Sequence, residues 1–88
     1  MKREGVFIFQ GTHQVMKAEK ILKNEGIPIK LIPVPRSLTS DCGLAIRVEH
    51  EVAEKAYSIL KMGGNIPKEY YVKEGKAYRK VELTGELP

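Results

Sequence analysis

The sequence predicts an α+β fold, a two-layer sandwich of one antiparallel sheet and two helices. Short apolar runs of strand character alternate with two segments of helical period. Prolines sit inside one of the runs, which marks a sheet edge. The chain has 88 residues, enough for one hydrophobic core and too few for two.

Gly5 to Gln10 is rich in Phe, Val and Ile and reads as a short buried strand. Gly11-Thr12 opens a helix, with Thr12 the expected N-cap. Val15, Ala18, Ile21 and Leu22 repeat at the helical period, and Asn24-Glu25-Gly26 stops it, with Gly26 suited to a left-handed cap. Ile27 to Val34 is the second strand, with Ile27, Ile29 and Leu31 on one face and Pro28 and Pro33 inside it. Pro35 to Asp41 is a polar loop. Gly43 to Glu49 is the third strand, its Leu44, Ile46 and Val48 sharing the buried face. A second helix covers about Glu51 to Met62, with Val52, Ala56, Ile59 and Leu60 as its stripe and Gly63-Gly64-Asn65 as its stop. Tyr70 to Val72 is a fourth strand. Glu74-Gly75 turns the chain toward a weak fifth near Tyr78 to Leu83, and the tail from Thr84 is expected to fray.

The order β-α-β-β-α-β is that of the ferredoxin-like sandwich, with sheet order 4-1-3-2 and the second strand at an edge. Residues 1–73 form one such domain on this reading. Residues 74–88 are a C-terminal extension that holds a candidate edge strand.

Apolar residues make up 42% and charged residues 30%, values of a folded soluble domain. The longest clean apolar run, Val6 to Phe9, is far short of the ~20 residues of a membrane span. Met1-Lys2-Arg3-Glu4 leads into no signal-peptide pattern, so a cytoplasmic location is expected. A net charge of +4 suits anionic or acidic partners without demanding nucleic acid. The single cysteine, Cys42, excludes an internal disulfide and a CxxC metal pair. His13 and His50 have no ligand spacing, so no metal site is expected.

In this topology three segments meet at one end: Gln10 to Gln14, Pro33 to Gly43, and Gly63 to Asn65. Cys42 is thereby expected near the N-terminus of the first helix, where the helix dipole favours a thiolate. His13 is a candidate base and Arg36 a candidate anion contact. Thr12 and Gln14, through backbone N–H groups, with Ser40 and Gly43 beside the thiol, are candidate binding positions. Asp41 opposes the thiolate by its charge. The plainer reading makes Cys42 a small buried hydrophobe and His13 an exposed first-turn residue.

The run Ile32-Pro-Val-Pro-Arg36, Ser37 to Ser40, then Cys42-Gly-Leu-Ala-Ile-Arg47 resembles the signature of a small bacterial family described as selenium/sulfur carrier protein-like. Phe7, Phe9, Thr12-His13 and Glu19 agree with that family's first strand and helix start. The resemblance covers about Gly5 to Tyr71, and the residues from Lys73 to Pro88 extend beyond the usual domain. It implies a carrier more than a turnover enzyme, with Cys42 as loading site, no cofactor, and a donor and an acceptor protein as partners. Two other classes compete. An RNA-binding module of the RRM type shares the fold, but Leu44 and Ile46 stand where that motif needs exposed stacking aromatics. A small-molecule or regulatory domain of the same fold has no phosphate-loop fingerprint to support it. A helix-free sheet face bearing Phe7 or Phe9 invites a homodimer.

Overall fold

The computed structural model describes residues 3–38 and 43–83. Its elements are β1 (Glu4–Ile8), α1 (Thr12–Asn24), β2 (Lys30–Pro33), β3 (Leu44–Glu49), a 3-10 turn (His50–Val52), α2 (Ala53–Met62), β4 (Glu69–Glu74) and β5 (Ala77–Lys80). The described strands form one five-stranded sheet in the order β2-β3-β1-β4-β5, antiparallel throughout. It departs from the expected four-strand order 4-1-3-2 by this fifth strand, which lies outside β4.

β1 is the centre of the molecule. Val6, Phe7, Ile8 and Phe9 are each at most 1% exposed. Successive strand residues face opposite sides, so the run feeds two clusters. Phe7 and Phe9 join Ile46, Val48, Tyr70 and Val72 against Val15, Ala18 and Leu22 of α1 and Ala53, Ala56 and Leu60 of α2. Both helices therefore cover one face. Val6 and Ile8 pack with Ala45 on the other face, under Ile32, Val34, Leu38, Tyr71 and Tyr78. This corrects the expectation that Phe7 or Phe9 sits on an uncovered face: both point at the helices, and that route to a homodimer loses its premise.

The helix ends follow local chemistry. Gly11, in extended conformation, is the N-cap of α1, and Thr12 is the first helical residue. The Gly11 carbonyl accepts from the Gln14 and Val15 amides at 3.1 and 3.2 Å. The Gln14 side chain accepts from the Gln10 amide at 3.1 Å, a reach back that binds the chain entering the helix. Both helices end in the same way. Gly26 (φ 76°) donates to Lys23 O while Ile27 donates to Leu22 O, each at 3.0 Å. Gly64 (φ 73°) donates to Lys61 O at 3.1 Å while Asn65 donates to Leu60 O at 2.9 Å. This paired pattern satisfies last-turn carbonyls and wants glycine at the left-handed position.

β2 is shorter than the sequence suggested, because Pro28 has no amide to pair and ladder contacts begin at Lys30. It lies at the sheet edge, where Pro33 is tolerated. α2 starts at Ala53 after the 3-10 turn rather than at Glu51. β4 runs on from Glu69 to Glu74, and β5 stops at Lys80. Beyond it Val81 donates to Tyr70 O at 2.9 Å, and Val81 and Leu83 pack on the helix-side cluster. Arg79 holds Glu74 at 3.0 Å and Lys80 reaches Glu69 at 3.5 Å, tying the hairpin together. The expected frayed tail lies outside the described residues.

Gly5 shows why one strand position must lack a side chain. It is buried directly across from Val72, and the Tyr70 ring lies over it. A Cβ there would overlap the Tyr70 hydroxyl and ring edge. Gly5→Ala is therefore expected to lose about 1–3 kcal/mol, the usual cost of overpacking a core. Thermal melts should show a drop of roughly 4–8 °C per kcal/mol in a domain this small. The loss should be smaller when measured in a Tyr70→Phe background, and an unchanged melting temperature for Gly5→Ala would show that the ring is not confined there.

Candidate functional site

The strand register decides which segments share an end. β3 begins opposite the end of β2, with Pro33 paired to Leu44. Phe7 pairs with Ile46 and Ile8 with Glu69, so β3 and β4 both begin where β1 ends. The Lys68 amide donates to Ile8 O at 2.7 Å, and the Val34 amide donates to Gly43 O at 3.1 Å. Buried Asn65 donates from its side-chain amide to Gln14 O at 3.0 Å, locking the end of α2 to the first turn of α1. The α1 start, both ends of the β2–β3 loop, and the α2–β4 loop thus lie at one end, as the topology led us to expect.

The described part of the β2–β3 loop packs away from the helices. Pro35 to Leu38 forms a turn closed by a 3.0 Å bond from the Leu38 amide to Pro35 O. Val34 and Leu38 pack on the helix-free cluster of Val6, Ile8 and Ala45. The described part of the loop is therefore anchored on the face away from α1, not against its first turn. Arg36 is exposed at the tip of that turn. Gly43 is exposed, and nothing crowds its α-carbon. Ser40, Asp41 and Cys42 lie outside the described residues.

Thr12 and His13 are exposed on the first turn of α1. Gln14 is spent on structure: its amide bonds Gly11, its side chain the Gln10 amide, and its carbonyl Asn65. It is a lock between segments, with its amide directed to the Gly11 carbonyl. Sequence reasoning missed Asn65 as the other half of this lock. A polar residue just beyond a Gly-capped helix, where a hydrophobic contact is usual, was the available signal.

The opposite end is built differently. Tyr70 is 3% exposed, and its hydroxyl shares a 2.7 Å hydrogen bond with His50 Nδ1. The two rings stack at 5.9 Å, and Tyr70 meets Phe7 at 4.9 Å. The His50 amide donates to Arg3 O at 2.9 Å. This pair ties the end of β3 to β1 and β4. Nearby, a concavity of about 420 Å³ is bounded by Arg3, Lys30 and Arg47, with Glu4 and Glu49 among them. None of the expected site residues lines it. Among the described residues no cluster of three or more His, Cys, Asp or Glu side chains can hold a metal ion, and no helix is long and apolar enough to cross a membrane.

The fold and this loop define the class: a small α+β domain with one cysteine, placed by the sequence in the connection between two antiparallel strands. A family model described as "Putative Se/S carrier protein-like" matches residues 4–72, and the chain belongs to that family. No curated protein and no solved structure matches the chain.

Burial pushes the Tyr70 phenol well above its ordinary value of 10.0, with Glu51 and Glu54 adding to the shift and Arg3 opposing it. A raised phenol means that ionisation favours the unfolded chain, which releases the proton more readily. Stability is thus whole below pH 10 and falls as pH rises past it, because the unfolded chain releases the Tyr70 proton there and the folded chain keeps it. Melts across pH 9 to about 11.5 should show this alkaline decline, flattened in Tyr70→Phe. Equal declines in the two proteins would disprove it.

Proposed function

We propose that this chain carries sulfur or selenium on Cys42 and passes it from a donor protein to an acceptor. The family match over residues 4–72 carries this reading, because the matched span contains the chain's single cysteine. A carrier that uses a thiol has no other thiol to use. We read β1 to β4 as a ferredoxin-like core, residues 1–73 as the carrier domain, and residues 74–88 as an extension. The end of the match at residue 72, inside β4 and ahead of β5, supports that division.

The step needs no cofactor. The Cys42 thiolate attacks the terminal atom X of a donor R–S–XH, where X is sulfur or selenium. The Cys42 S–X bond forms as the donor's S–X bond breaks. The donor leaves as its thiolate R–S⁻, the X–H proton stays on X, and no oxidant is consumed. The rate depends on thiolate fraction and access. His13, exposed at the same end, is the candidate base, and Arg36 is the candidate contact for the anionic X⁻. In sequence Gly43 follows the thiol and Ser40 precedes it by two residues, and a Cβ at Gly43 would meet nothing within 4 Å.

Offered a low-molecular-weight donor R–S–SH or R–S–SeH, the wild-type protein should gain the mass of one sulfur or selenium in intact mass spectrometry, and Cys42→Ser should gain none. Cys42→Ser should melt within a few degrees of wild type, as a loop substitution costs about 0.5 kcal/mol or less. Equal loading of both proteins would place the cargo elsewhere. No loading of either, with a melting temperature lowered by burying an unpartnered hydroxyl, would leave Cys42 as core packing.

A further inference from the structure

Two cross-strand pairs break the usual rule for charges on a sheet. Lys30 of β2 stands directly opposite Arg47 of β3, and Glu49 of β3 stands directly opposite Glu4 of β1. Direct partners share a face and lie close together, so like charges there destabilise the sheet. Both pairs are on the helix-free face, because Arg47 and Glu49 alternate with Ala45, and Glu4 with Val6, which pack there. They form neighbouring rows, one cationic and one anionic, about 7 Å apart along β3.

The concavity of about 420 Å³ is lined by these same four residues. Their charges are only partly joined to each other. One ion pair crosses between the rows, from Arg47 Nη1 to Glu4 Oε1 at 3.5 Å, with the two side chains 39 and 34% exposed. That is longer than a well-made charged hydrogen bond and is open to water, so it holds weakly. It uses one nitrogen of the Arg47 fork. Among the described residues Lys30 makes no ion pair. A carboxylate accepts at several lone pairs, so Glu4 and Glu49 keep acceptor capacity beyond the bonds they make. Charge placed against the local rule, with no full compensation in the fold, is the mark of a functional position.

The pattern of charge selects the ligand. A simple anion would meet Glu4 and Glu49, and a simple cation would meet Lys30 and Arg47. A zwitterion satisfies both rows. The scale fits an α-amino acid. Its ammonium nitrogen and carboxylate carbon share one α-carbon and are about 2.5 Å apart. With a charged contact of about 2.8 Å on each side, the span is roughly 8 Å, close to the row spacing. The rest of the lining includes Pro28 and Ile29 beside buried Val48. The volume exceeds what the charged head of an amino acid needs and leaves room for an apolar side chain.

We propose that this corner of the sheet binds a free α-amino acid with a large apolar side chain. Its carboxylate is received by Lys30 and Arg47, its ammonium by Glu4 and Glu49, and its side chain by Pro28 and Ile29. The corner lies where β1 and β2 begin and β3 ends, away from the β2–β3 loop. The site therefore stands whether or not Cys42 carries sulfur or selenium.

The test is a titration of the full chain followed by its backbone amide signals in NMR. The probes are L-leucine, 4-methylpentanoate, which lacks the ammonium, and 3-methylbutylamine, which lacks the carboxylate. L-leucine at millimolar concentration should shift the amides of Ile29, Lys30, Arg47 and Val48. The two truncated probes should bind about tenfold more weakly or worse, the effect of losing one charged partner. Lys30→Thr and Glu49→Gln, each with its fold checked by melting, should lose leucine affinity by a similar factor. Lys30→Thr should melt no lower than wild type, because it removes a like-charge pair. A residue kept for stability would show the reverse, a lower melting temperature. Absence of leucine-dependent shifts at these amides would overturn the site. Equal affinity for all three probes would overturn the zwitterion, and unchanged leucine affinity in both variants would overturn the assignment to these two rows.

Discussion

Everything in this domain depends on β1 being buried on both of its faces. Val6 to Phe9 contribute four consecutive side chains to the interior, two to each cluster. A central strand of this kind touches both layers of a small protein. Its neighbours are placed by it: β3 and β4 begin where it ends, and α1 springs from that same end. The Gly5 gap lets Tyr70 fold over its start, and the Lys68 amide closes on its last carbonyl. The candidate site is an outcome of that geometry, because its segments are the connections that leave one end of β1 and its partners.

The two ends of the molecule divide the work. At one end Tyr70, His50 and Gly5 make a packed closure, with hydroxyl and imidazole satisfied by each other. A buried tyrosine without such a partner would cost stability. At the other end polar groups are used to lock segments together, Gln14 to Gln10 and Asn65 to Gln14, and the apolar side chains of Met62 and Ile66 are left outside. These locks lie at the end that carries the β2–β3 loop.

The helix-free face also has a role that a two-layer sandwich does not require of it. Val34 and Leu38 cover Val6, Ile8 and Ala45 with the help of Tyr71 and Tyr78. The loop that runs to Cys42 is thus part of a second, small core. Its first half is tied down by burial of apolar surface, at roughly 25 cal/mol per Å², and its return is tied by the bond between Val34 and Gly43. β5 supplies Tyr78 to that same cluster, which links the extension beyond the family match to the loop it helps to cover.

The sequence by itself determined the elements, their order and several of their limits. Alternation in Leu44, Ile46 and Val48 named the buried face of β3, the glycines at 26 and 64 marked the ends of both helices, and Pro28 and Pro33 sent β2 to an edge. These are local signals, carried by backbone freedom and side-chain period. The family was legible for the same reason, since IPVPR and CGLAIR are contiguous runs. Only the tertiary structure decided which way Phe7 and Phe9 face, because a run apolar at every position has no alternation to read. It alone placed Val34 and Leu38 on the far side of the sheet, made Gln14 a lock between segments, and gave Asn65 and Gly5 their partners. Each of those depends on a residue distant in sequence, and a short segment carries no record of what the rest of the chain will bring against it.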